Sequence, residues 1–110
     1  TTEIYTLSLH DALPILAPMD LIRDGHPTIS PNKKWLATDC YPVDNKRHVY
    51  LVELDTEKVH TIHTFDNPPT VTGELRCDPH CRWSRDSTQI SFDGITPEGD
   101  RQVFTIMIEE

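Results

Sequence analysis

Apolar and polar residues fall into short blocks separated by turn-forming residues, which is the pattern of an all-β chain. Pro27–Ser30 reads as a short strand that stops at Ser30-Pro31-Asn32-Lys33. Proline presets φ for a turn, and Asn or Asp can bond its own backbone there. A second strand follows over Trp35–Asp39. After a polar loop comes His48–Leu54, whose near-continuous apolar character suggests burial on both faces. The turn Asp55-Thr56-Glu57-Lys58 then leads to a fourth strand, Val59–Thr64. Strand alternation puts His60 with Ile62 on one face and Val59, Thr61 and His63 on the other, so His60 and His63 are expected to diverge as surface residues.

The same order of elements recurs further on. Shifting the chain by 54 aligns residues 26–54 with 80–108 without a gap. His26 falls on His80, Ser30 on Ser84, Asp39 on Asp93, Arg47 on Arg101 and Val49 on Val103. Apolar positions match as well: Leu36 with Ile90, Tyr50 with Phe104, Val52 with Ile106, Leu54 with Ile108. The second copy gives strands at Cys81–Ser84, Thr88–Asp93 and Gln102–Ile108, with Ser84-Arg85-Asp86-Ser87 as its turn. Four antiparallel strands per unit describe a β-propeller blade, and a blade buries its faces only against neighbours. The fold expected is therefore all-β, with two four-stranded antiparallel blades: one at 26–64, a loop at 65–78, and a second at 79–110 that lacks its fourth strand. If Glu110 is the natural terminus, chain from the other end of the protein would supply that strand; the alternative is simple truncation at both ends.

Residues 1–15, TTEIYTLSLHDALPI, stand outside this repeat. They back-translate codon for codon into a string that resembles a widely used short-read sequencing adapter. The expectation is that native protein occupies 16–110 and forms part of a longer chain. Across all 110 residues, 18 acids face 10 bases, a formal charge of −8. Removing Glu3 and Asp11 leaves 16 acids against 10 bases, or −6. That balance argues against a nucleic-acid partner bound through a basic face. No run approaches the roughly 20 apolar residues of a membrane span. Three cysteines do not close a disulfide framework, and Cys40, Cys77 and Cys81 read as buried thiols. The compartment stays open, with the cytoplasm slightly favoured over the periplasm.

Two resemblances sharpen the picture. Pro27-Thr28-Ile29-Ser30-Pro31-Asn32-Lys33-Lys34-Trp35-Leu36-Ala37 and Arg82-Trp83-Ser84-Arg85-Asp86-Ser87-Thr88-Gln89-Ile90-Ser91-Phe92 both resemble the SPDG repeat of TolB-type propellers. Both depart from it, because Lys33 and Ser87 stand where the turn glycine would be, and Arg85 replaces the proline. A narrower likeness is to propellers related to oligogalacturonate lyases. It rests on Gly25-His26-Pro27-Thr28-Ile29-Ser30-Pro31, Thr38-Asp39-Cys40-Tyr41-Pro42 and the run Thr72–Ser84. That resemblance implies β-elimination on pectin-derived oligouronides, with a divalent metal, manganese first, held by histidines in the propeller channel.

His26 and His80 share one repeat position, just before the innermost strand of each blade, so both imidazoles are expected near one channel mouth. They are candidate metal ligands; the alternative is a histidine bonded to the neighbouring blade's backbone. Arg76 and Arg82 are candidates to grip a substrate carboxylate bidentately. Arg76 could equally pair with Glu74 or Asp78. Asp39 with Arg47, and Asp93 with Arg101, read as a repeated contact within each hairpin. Trp35 and Trp83 read as packing between blades. No catalytic base is identifiable. The fragment alone is expected to be inactive, and its partners would be an anionic oligosaccharide and the remaining blades. The competing reading is a non-catalytic TolB-type propeller that binds protein or glycan.

Overall fold

The computed structural model describes residues 2–8, 14–15 and 25–109. It is all-β, and its helical content among these residues is one 3-10 turn at Gly73–Leu75. In chain order the strands are β1 (Thr2–Ser8), β2 (Pro14–Ile15), β3 (Thr28–Ile29), β4 (Trp35–Asp39), β5 (Lys46–Glu53), β6 (Val59–Asp66), β7 (Arg82–Trp83), β8 (Gln89–Ile95) and β9 (Arg101–Glu109). They form two sheets, ordered β2-β6-β5-β4-β3 and β1-β9-β8-β7. The antiparallel parts are β3 to β6 in the first sheet and β7 to β9 in the second. β1 joins the second sheet in parallel beside β9, and β2 joins the first antiparallel to β6.

The two units close their first turn by the same bonds. Ser30 Oγ donates to Asn32 Oδ1 at 2.7 Å, and Ser84 Oγ donates to Asp86 Oδ1 at 2.6 Å. The amides of Lys34 and Thr88 bond those same acceptors, and the amides of Trp35 and Gln89 bond the serine hydroxyls. At the positions without glycine, Lys33 and Ser87 take φ of 62° and 64°. The side-chain turn is strong enough to hold two non-glycine residues in the left-handed region.

Each sheet turns a different face to its neighbour. In the first, Trp35, Ala37 and Asp39 of β4 lie beside Val49 and Leu51 of β5 and look towards the second sheet. In the second, Ile90 and Phe92 of β8 lie beside Ile106 and Phe104 of β9 and look back. These side chains make the main core, with Phe92 and Phe104 stacked at 5.7 Å. By the repeat, Ile90 and Phe92 correspond to Leu36 and Thr38, on the reverse face of β4. The unit stacks unlike faces. The Trp83 indole ties the seam by donating to Thr28 O at 3.1 Å, and Trp35 is buried in the shared core, so both tryptophans pack between the sheets.

The expected divergence of His60 and His63 is corrected. Register along β5 and β6 runs Val49↔His63 and then Tyr50↔Thr61, so Ile62 is an extra residue at a bulge. A bulge resets the alternation, which puts both histidines on the face of Val49 and Leu51. His63 packs on Phe104 at 4.7 Å and Phe92 at 5.2 Å. His60 is buried, with Nε2 2.9 Å from Glu53 Oε2, and neither histidine is the surface residue expected.

Candidate functional site

The segments that precede β3 and β7 bring their histidines together. The His26 and His80 rings stack at 4.1 Å with planes 22° apart. Both side chains remain accessible, 37% for His26 and 55% for His80. Their shared repeat position thus brings the two rings side by side.

Beneath them lies Asp39 at the end of β4, fully buried. Its Oδ1 accepts the His26 amide at 2.8 Å, and both carboxylate oxygens lie about 3.0 Å from His26 Nδ1. Its Oδ2 also accepts the His80 amide at 3.2 Å. His80 has φ of 49°, a conformation that costs energy for a residue with a Cβ. Gly25 lets the chain come this close, since a Cβ there would lie 2.0 Å from Asp39 O.

The expected Asp39–Arg47 hairpin contact is therefore overturned. Arg47 is buried and turns to the loop after β6. Its Nη2 lies 2.8 Å from Asp78 Oδ1, its Nε donates to Asn67 Oδ1 and its Nη1 to Cys40 O. The repeat hid this difference because both units carry the same residues, while only the first unit's Asp and Arg face a neighbour. In the second unit the expected contact forms, with Arg101 Nη2 3.3 Å from Asp93 Oδ2.

Arg76 and Arg82, the candidate carboxylate contacts, each already hold a carboxylate. Arg76 Nε donates to both Asp78 oxygens at 3.0 Å, and Arg82 Nη2 lies 3.3 Å from Asp93 Oδ1. Arg76 also sits over the exposed Tyr41 ring, 6.0 Å from its centroid, and Tyr41 meets the His26 ring edge-on at 6.4 Å. Partial burial acts to raise the Asp78 carboxyl, but the Arg76 hydrogen bonds and the Arg47 charge outweigh it and hold it below its ordinary value. The two guanidinium groups are about half exposed, whereas Asp78 and Asp93 are largely covered.

The three cysteines are free and buried. Burial pushes all three thiols up, Cys81 to about 12, which makes them poor nucleophiles and poor ligands. A cleft of about 1000 Å³ opens to one side, lined by Lys46, Phe65, Leu75, Arg101 and Phe104 among others. It does not include His26 or His80, so the cleft and the histidine pair are separate features.

His26 and His80 supply two candidate imidazole donors, whose near-parallel rings would have to turn for both lone pairs to meet one ion. With Nδ1 of His26 engaged by Asp39, its Nε2 is available, the usual arrangement of a carboxylate behind a metal-binding imidazole. His80 adds a second imidazole. Among the described residues, no three His, Cys, Asp or Glu side chains converge as a cage. Sequence reasoning found the two histidines but missed Asp39 and Tyr41 as neighbours; the signal available was Asp39 and Tyr41 flanking Cys40 at the exit of a strand. No helix among the described residues is long and apolar enough to cross a membrane. No protein-family model, curated protein or solved structure matches this chain.

Proposed function

We propose that the chain is two consecutive blades of a β-propeller, and that it contributes part of the active-site wall of an oligogalacturonate-lyase-like enzyme acting on pectin-derived oligouronides. The observation that carries the reading is the stacked His26–His80 pair at 4.1 Å, formed by residues at one repeat position and backed by a buried carboxylate. The stacking of unlike faces supports the propeller, because it lets every unit meet the next in the same way.

His80 and His26 would hold a divalent metal, manganese first, with the remaining ligands on other blades. When bound, the metal draws electron density from the uronate carboxylate and so makes the proton α to it easier to remove. Arg76 and Arg82 would take the carboxylate by exchanging their contacts to Asp78 and Asp93 for the substrate. This fixes the ring for anti or syn loss of the leaving oxygen and places positive charge where the enolate oxygen develops. The base is left to another blade.

The test is turnover of oligogalacturonate by the full-length protein that carries both units. Release of unsaturated uronide, lost with EDTA and restored by manganese, is expected. A purified protein that binds no manganese and turns over nothing overturns the reading. A second reading, a non-catalytic TolB-type propeller that binds protein or glycan, draws on the lack of a third converging ligand among the described residues. Saturable glycan binding unchanged by EDTA would favour it.

A further inference from the structure

We infer that Asp39 is a positioning residue that fixes the His26 tautomer and the His80 backbone together, so that His26 presents the lone pair of Nε2 beside the His80 ring, whose own Nε2 lies 3.9 Å from Asp78 Oδ2. The inference rests on the metal-site reading for its purpose, but its geometry stands apart from it. A buried carboxylate is an acceptor only. Asp39 has four lone-pair sites and meets three donors: the His26 amide, the His26 ring and the His80 amide. A neutral His26 facing that carboxylate must carry its proton on Nδ1, which leaves Nε2 with its lone pair. The opposite tautomer would set a lone pair against a carboxylate inside the protein, and both are acceptors.

The hold on His80 is of a different kind. His80 sits at φ of 49°, and its amide is fixed by Asp39 Oδ2 from 41 residues away in sequence. That bond helps offset the cost of the left-handed backbone. One side chain of the first unit thereby sets a ring of its own unit by tautomer and a ring of the second unit by backbone. The second unit has no such device of its own. Asp93 faces Arg82 and Arg101 instead, and its backbone amide bonds Pro79 O.

The experiment uses the full-length protein with 15N-labelled histidine. Long-range 1H–15N correlation spectra report which ring nitrogen bears the proton. In the wild type, His26 is expected as the Nδ1-protonated form. Asp39→Asn keeps the shape but offers one acceptor oxygen, and is expected to mix the His26 tautomers and lower manganese affinity about 10- to 100-fold. Asp66→Asn, at an exposed carboxylate paired with Lys46, is expected to change neither. An Nε2-protonated His26 in the wild type overturns the inference, and this readout survives if Asp39→Asn fails to fold. Manganese affinity in a folded Asp39→Asn within twofold of wild type also overturns it. A wild type that binds no manganese but shows the Nδ1 tautomer, lost in Asp39→Asn, overturns the metal reading and leaves the positioning role intact.

Discussion

The two units carry the same residues at five matched positions, yet two of those pairs do different things. Asp39 and Arg47 are buried at the seam and do not bond each other; Asp39 holds His26 and the His80 amide, and Arg47 holds Asp78, Asn67 and Cys40 O. Asp93 and Arg101 are partly exposed and bond each other, with Asp93 also meeting Arg82 and Arg101 donating to Arg76 O. The Ser–Asx turns, in contrast, are the same in both units down to their acceptors. Local bonds that close within six residues repeat with the sequence. Contacts made across the seam depend on which face is covered, and only the first unit's Asp-bearing face is covered here. A repeated residue therefore inherits its place in the sheet, and its burial decides its role.

The comparison breaks most sharply at the arginines. Arg47→Ala leaves Asp78, Asn67 and Cys40 O without a buried donor and is expected to cost roughly 2–3 kcal/mol. Arg101→Ala removes partly exposed contacts to Asp93 and Arg76 O and should stay within ~0.5 kcal/mol. Urea unfolding of both variants checks the contrast; equal losses would refute it. Next comes Gly25→Ala, expected to cost about 1–3 kcal/mol because its Cβ must push Asp39 O aside. The matching residue is Pro79, so the second unit tolerates a side chain where the first does not. Thermal melting of the variant reads this effect.

Acid should separate the turns. Asp86 accepts bonds from the Ser84 hydroxyl and from the Thr88 amide and hydroxyl, and these hold it at about 2, from an ordinary 3.8. Its pKa is depressed on folding, so its contribution is present above pH 3.8 and is lost as pH falls towards 2. Asn32, its counterpart, does not titrate. Amide exchange at Thr88 should therefore accelerate over that interval while Lys34 does not. Parallel acceleration at both would show general unfolding instead. The smallest effect is at the left-handed turn position. Lys33→Gly should stabilise by ~0.5 kcal/mol, since glycine takes this φ without a steric cost. Ser87→Gly should gain less, because Ser87 Oγ accepts the Asn32 amide at 3.0 Å. Differential melting of the pair measures it.

Much of the fold was legible because turns and alternation are local. These signals place Trp35–Asp39 at its observed bounds and both ends of the other six predicted strands within two residues of theirs. The bulge at Ile62 was not legible, since nothing in Val59–Thr64 marks an unpaired residue, and one extra residue reversed the facing of His63. Of the candidate site, the meeting of His26 and His80 followed from their shared repeat position. The Asp39 contacts to both did not, because a bond spanning 41 residues is set by how the sheets stack rather than by any spacing within a strand.

The unlike faces of each unit have a consequence for assembly. A contact between two different surfaces leaves one of each unused at the ends of any row, so it is heterologous and has a direction. Such a row stops only by curving round until its last unit meets its first, and otherwise grows into a filament. The angle between successive sheets, rather than the strength of any one seam, decides between a closed ring and an open fibre.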